Sequence, residues 1–265
     1  MSATGRKRRH PLLRLVLLLT ALAFLAVFLL DRWSLLYEPN PYREEDFVSK
    51  DGFMTCLATD SVPGIDVSYY QGQIDWQKVR QSGIEFAFVR VGYRSSGDGL
   101  LYEDEMARRN LSQAAAAGVK VGAYFFSQAL TPLEAVEEAK FAIGILKEYQ
   151  LDLPLVYDWE TVKGSNRTDG MTRETLTNCV RAFCVTAEAA GYDSMVYFNR
   201  DLSQNLLDVK KLYGIPVWFA MYDTYPDAPC KPDYWQYSDK GRVTLRAMDA
   251  PTPTHRPISM DLPEI

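Results

Sequence analysis

From Gly64 onward the chain alternates two kinds of segment, and that alternation limits the folds open to it more than any other feature. Short runs rich in β-branched and aromatic residues, "GIDVSYY", "FAFVRVGYR", "VKVGAYFFSQ", "LPLVYDWE" and "SMVYFN", are each followed by a stretch of helical composition. Those stretches are "DWQKVRQSG", "EDEMARRNLSQAAAAG", "TPLEAVEEAKFAIGILKEYQ", "TRETLTNCVRAFCVTAEAAG" and "DLSQNLLDVKKLYG". Strands that are apolar almost without interruption are buried on both faces, the condition of a parallel sheet covered by helices. Thr131-Pro132 sets a capping hydroxyl before a proline at a first helical position, and Gly83, Gly118 and Gly191 each follow a helical run. After five such units, "PVWFAMYD", "DYWQYSDKG" and "PISMDL" read as strands without long helices between them. Eight strands and five helices predict an α/β fold, an irregular TIM-like (β/α)5(β)3 barrel over residues 63–265. The reactive face of such a barrel lies at the C-terminal ends of its strands.

The residues before the barrel follow other rules. Residues 1–14, "MSATGRKRRHPLLR", hold five Lys/Arg and no acid, and an uncharged apolar run extends from Leu15 to Leu30. A basic flank before an apolar run marks a membrane-directed segment whose basic side stays cytoplasmic. Leu29 to Trp33 offer no small residues for a signal peptidase, so an uncleaved transmembrane signal-anchor over 15–30 is expected, with the barrel outside the cell; cleavage would instead make the protein secreted. Residues 31–62 show no sustained period and read as an extracytoplasmic stalk. Residues 1–14 contribute +5 to a net charge of −5, which leaves −10 on residues 15–265. So acidic an ectodomain is unsuited to phosphate backbones, and nucleic acid is not an expected partner.

Cys56, Cys179, Cys184 and Cys230 lack CxxC spacing, which leaves either up to two disulfides or small buried hydrophobes. Cys179 and Cys184 are separated by about 7.5 Å of helical rise, too far to bridge one another easily. The only histidines are His10 and His255, too few for a multi-histidine metal site or for histidine-based nucleophilic catalysis. Acid–base chemistry therefore falls to carboxylates and tyrosines, and no metal or cofactor is expected.

Carboxylates stand where such chemistry needs them. Asp66 lies in the first strand, Asp158 and Glu160 end the fourth, Asp223 ends the sixth, and Asp261 is near the end of the last. Alternate residues of a strand share a face, so Asp158 and Glu160 point one way and Trp159 the other. Two like charges on one buried surface repel, and one of them holds a proton at neutral pH. That combination suits glycoside cleavage, in which one acid protonates the leaving oxygen while another group supports the charge developing on the sugar. Taken singly, Asp66 as a partner of loop amides, Asp223 as a turn residue and Asp261 as a solvated end are equally ordinary roles. Tyr69, Tyr70, Tyr93, Phe125, Trp218, Tyr222 and Trp235 sit at or near strand ends, where rings either stack on sugars or pack the rim and core.

At these residues the chain resembles a known family. "GIDVSYYQGQIDW", "FVRVGY", "AAAAGVKVGAYFFS", "LPLVYDWE", "VWFAMYD", "YWQYSDKG" and "SMDL" follow in the order seen in the glycoside hydrolase family 25 lysozymes, the Chalaropsis-type N-acetylmuramidases. The resemblance spans about residues 63 to 263, and several motifs in order make it far more specific than a lone D-x-E. It implies that Glu160 is the general acid, and that Asp158 orients and charge-stabilises the reacting 2-acetamido group or else positions water. Asp66 matches the family's first-strand aspartate, and Asp223 and Asp261 match its late acids. Tyr69, Tyr93, Phe125, Trp218, Tyr222 and Trp235 would line the substrate cleft. The implied substrate is the glycan strand of peptidoglycan, cut at the β-1,4 bond between N-acetylmuramic acid and N-acetylglucosamine without a metal. The sequence departs from the family in two places: "DVSYYQG" stands where many members have His-Trp after the serine, and "RVTLRAMDAPTPTHRP" replaces a short glycine-containing turn before "SMDL". Rival readings on the same barrel are a catalytically silent glycan-binding module, a membrane-tethered scaffold and a chitinase-like hydrolase.

Overall fold

The helices form where caps and packing faces coincide. In a computed structural model, which describes residues 38–162, 164 and 167–241, the five expected helices are α1 (Trp76–Gln81), α2 (Ala107–Ala116), α3 (Pro132–Leu146), α4 (Arg173–Ala189) and α5 (Arg200–Asn205). Thr131 Oγ1 accepts the Glu134 amide at 3.2 Å to start α3, and Thr172 Oγ1 accepts that of Thr175 at 3.2 Å to start α4.

The strands are β1 (Phe47–Lys50), β2 (Phe53–Cys56), β3 (Gly64–Val67), β4 (Phe86–Arg94), β5 (Leu101–Glu103), β6 (Lys120–Ser127), β7 (Leu155–Trp159), β8 (Ser194–Asn199), β9 (Val217–Ala220) and β10 (Tyr234–Gln236). Seven of them pair in parallel in the order β10-β9-β8-β7-β6-β4-β3, and β5 adds antiparallel to β4. The sheet curls until its edges approach: the Tyr234 ring of β10 lies 5.1 Å from that of Phe88 on β4, and Gln236 bonds to Asp66 of β3. Among the described residues no backbone ladder joins β3 to β10, so the expected closed barrel is here a half-barrel. The eighth expected strand, "PISMDL", lies outside the described residues together with Asp261 and the apolar run 15–30. Among the described residues no helix is long and apolar enough to cross a membrane.

Inside the curl, aromatic rings fill the lower layer. Phe86, Phe88, Tyr124, Val156, Met195 and Trp218 form one buried cluster, with Phe88 and Trp218 stacked at 5.2 Å. Glycines make room for the rings: a Cβ on Gly122 would stand 2.3 Å from Phe88 Cε1, and one on Gly64 2.0 Å from Phe86 Cζ. The four cysteines are buried free thiols, which is the small-hydrophobe alternative rather than the disulfide one.

The stretch read as a stalk is corrected in part. Strands β1 and β2 form an antiparallel hairpin, and the described residues from Pro39 onward belong to one compact unit. Phe47 meets Trp235 edge-on at 5.0 Å, and Tyr237 Oη accepts the Met54 amide at 3.1 Å. Four-residue strands are too short to show a period in sequence, and the hairpin is held by these tertiary contacts.

Candidate active site

The strand register decides which side chains meet. Asp66 on β3 lies opposite Phe88, Phe126 on β6 opposite Asp158, and Asp158 opposite Tyr197 on β8. Asp66 and Asp158 are therefore inside the curl, 2% and 1% exposed, above the aromatic layer. Glu160 follows the last residue of β7 and shares their end of the sheet at intermediate exposure. Its main-chain carbonyl accepts Gln128 Nε2 at 2.8 Å, which ties the residue to the end of β6.

Burial of like charges has the expected electrostatic result. Asp158 is held well above the usual carboxylate range, first by loss of solvent and then by the charges of Glu160 and Asp66, with Arg90 pulling the other way. Burial pushes Glu160 up to about 7 against the opposing contact of the Tyr197 hydroxyl. The site thus keeps protons on carboxyls near neutral pH, the requirement for a general acid. Among the described residues no group of His, Cys, Asp and Glu is arranged to hold a metal ion.

Arg90 supplies the positive charge. Its Nε bonds to Asp104 Oδ2 at 2.8 Å, and the same oxygen accepts the Tyr69 amide at 3.1 Å. The guanidinium lies 5.1, 5.3 and 5.4 Å from the ring centres of Tyr69, Tyr70 and Tyr93. A bulge between Arg90 and Gly92 inserts one residue into β4, so that Tyr93 stands beside Phe126 and faces the same side as Arg90. These rings, with Phe126 and Val162, line a hollow of about 160 Å³.

Four of the expected binding residues lie elsewhere. Phe125 is fully buried between sheet and helix, edge-on to Phe141 of α3 at 6.2 Å; its neighbour Phe126 is the one that faces inward. Trp235 faces outward, donating to the Met221 carbonyl at 2.8 Å, and lines a separate cleft of about 440 Å³ with Phe47, Lys120 and Leu153. That cleft gathers residues from the starts of strands, away from the paired acids. Trp218 is on the inner face but 1% exposed, stacked in the floor where no sugar reaches it. Asp223 is exposed and accepts the following Thr224 amide at 2.8 Å, a turn residue apart from the acid cluster. Tyr69 and Tyr93 line the hollow beside Arg90, and Tyr222 donates to Gln236 Oε1 at 3.2 Å.

The profile of the glycosyl hydrolases family 25 matches residues 65–244. The chain belongs to that family. Curated family relatives include Lysozyme M1 of Streptomyces globisporus, 27% identical over 194 residues that make up 70% of this chain and 64% of the relative. The autolytic lysozyme of Clostridium acetobutylicum is 28% identical over 182 residues, 68% of this chain and 51% of its own. The chain thus matches about half to two thirds of the length of these lysozymes. Among solved structures, the modular autolysin LytC of Streptococcus pneumoniae, in complex with a synthetic peptidoglycan ligand, superposes with a TM-score of 0.63 at 24% identity. The match covers 76% of this chain and 49% of LytC, and it supports the fold.

Arg90, Phe126, Tyr197 and Gln236 were absent from the sequence-derived site. The first carried a visible signal, a charge in the middle of the apolar run "FAFVRVGYR". A buried arginine needs a buried partner, and Asp104 provides it.

Proposed function

We propose that this chain is a peptidoglycan muramidase that cleaves the β-1,4 bond between N-acetylmuramic acid and N-acetylglucosamine. The observation that carries the reading is the meeting of Asp66, Asp158 and Glu160 at one end of the sheet, with Asp158 and Glu160 both displaced toward their protonated forms. Glu160, the more accessible of the pair, donates its proton to the glycosidic oxygen. Asp158 stays behind it to orient the 2-acetamido group and to balance the positive charge that grows on the sugar. Tyr69, Tyr70, Tyr93 and Phe126 offer ring faces to the glycan beside the acids. Family membership and similarity to two named lysozymes support the same substrate.

Two further elements of the proposal rest on the sequence alone. "PISMDL" would add an eighth strand between β10 and β3 and carry Asp261 to the site, closing the barrel. The run 15–30, behind five basic residues, would tether the enzyme with its barrel on the outer side of the cell membrane, confining lytic activity to nearby wall.

The deciding experiment is mass spectrometry of the soluble products from purified peptidoglycan, wild type beside Glu160→Gln. Fragments ending in reducing muramic acid, released by the wild type alone, are expected. Binding without cleavage by folded wild-type protein would overturn the enzymatic reading in favour of a silent glycan-binding module.

A further inference from the structure

Gln236 is completely buried on β10 and reaches across the seam of the half-barrel toward β3. Its Nε2 donates to Asp66 Oδ2 at 3.1 Å, and its Oε1 accepts the hydroxyls of Tyr197 at 3.3 Å and Tyr222 at 3.2 Å. This orientation is the one its neighbours require, since a reversed amide would set oxygen against the Asp66 carboxylate. Tyr197 stands opposite Asp158 on β7, two residues before Glu160, and its hydroxyl acts on the Glu160 carboxyl, so a polar chain runs from the first-strand aspartate through Gln236 and Tyr197 toward the glutamate after β7.

We propose that Gln236 is a positioning residue that draws the Tyr197 proton away from Glu160 and thereby keeps Glu160 in its acid form. The inference rests on the reading of Glu160 as proton donor. A phenol has one proton to give and two acceptors within reach here. While Tyr197 donates to Gln236 Oε1, its one proton is withheld from Glu160, and the carboxyl is left in its neutral form. Without that amide oxygen the phenol donates to Glu160 instead, and a hydrogen bond donated to a carboxylate favours ionisation.

Other groups face Glu160 as well, and none reproduces this effect. Asp158, two residues earlier, is itself held in its neutral form and is the partner that the Glu160 charge pushes up, while Asp66 on β3 and Arg90 on β4 act on Asp158. Tyr222, beyond β9, also approaches Glu160 and bonds to Gln236, but it is 52% exposed and has water as an alternative acceptor.

The test is the alkaline limb of the pH profile for peptidoglycan solubilisation, where a general acid loses its proton. Gln236→Met, close in shape and without the acceptor, is expected to move the limb down by about one pH unit, the size of one charge-assisted hydrogen bond. Tyr197→Phe removes the donor and is expected to move it up. The double variant is expected to match Tyr197→Phe, because Gln236 acts through that phenol. Equal displacement by Gln236→Met in both backgrounds, or none in either, would overturn the proposal. Should Gln236→Met lose its near-ultraviolet dichroism, Tyr197→Phe decides alone, and a limb that stays or falls refutes the role. The ¹³C carboxyl titration of Glu160 is expected to show the same displacements without turnover. An inactive wild type would overturn the muramidase reading, while this titration would still test Gln236.

Discussion

Replacing Glu160 by glutamine should stabilise the protein while disabling it, and the size of the gain follows from the site. The carboxyl moves from an ordinary 4.5 to about 7 on folding because the site strips its water. A group whose folded value lies above its unfolded value stabilises the fold below the unfolded value, and that contribution is lost as pH rises through the folded value. At about 1.4 kcal/mol per pH unit, the displacement amounts to about 3 kcal/mol lost by pH 8. Because Glu160 retains partial contact with solvent, screening reduces the expected difference to about 1–2 kcal/mol. Glutamine carries no charge to desolvate, and it also relieves Asp158 of a repelling neighbour. Urea unfolding of wild type and Glu160→Gln should therefore agree at pH 4, diverge between about 4.5 and 7, and stay apart at pH 8 with the variant more stable. A variant that is equally or less stable at pH 8, or a gap as large at pH 4 as at pH 8, would refute the electrostatic account.

Other substitutions separate packing from binding. Gly122→Ala sets its Cβ 2.3 Å from the Phe88 ring and 2.9 Å from Leu153 Cβ, and should cost about 1–3 kcal/mol in urea unfolding. Arg94→Met removes the 2.7 Å partner of the fully buried Glu138 and should cost about 3–5 kcal/mol, again read by urea unfolding. Phe125→Ala should lose about 3–5 kcal/mol of stability with KM for peptidoglycan unchanged, whereas Tyr93→Ala should raise KM with little effect on the fold.

The parallel sheet was legible because five strand-helix units repeat a strong pattern, and Asp66, Asp158 and Glu160 because charges in apolar strands stand out. Which face a given aromatic takes was not legible in the same way. A strand buried on both sides carries apolar residues at odd and even positions alike, so nothing in "VKVGAYFFSQ" marks Phe126 rather than Phe125 as the inward ring. The same ambiguity placed Trp235 on the wrong side of β10, where Tyr234 and Gln236 turn inward. Strict alternation would also turn Tyr93 away from Arg90, and the only local mark of the bulge that reverses this is Gly92, the one glycine inside the strand. Gln236 was overlooked because a single amide among aromatics has no pattern to join; its importance comes from residues 14, 39 and 170 positions away.

The hairpin of residues 47–56 bears on where this protein can be cut. It rests on Trp235 and Tyr237, while Asn40 Nδ2 bonds to the Pro226 carbonyl at 2.7 Å. A fragment begun at the first barrel strand would bare the Trp235 ring and strand the groups that these contacts satisfy, inviting aggregation rather than yielding a minimal enzyme. A shortened form that keeps these contacts therefore has to begin no later than Pro39.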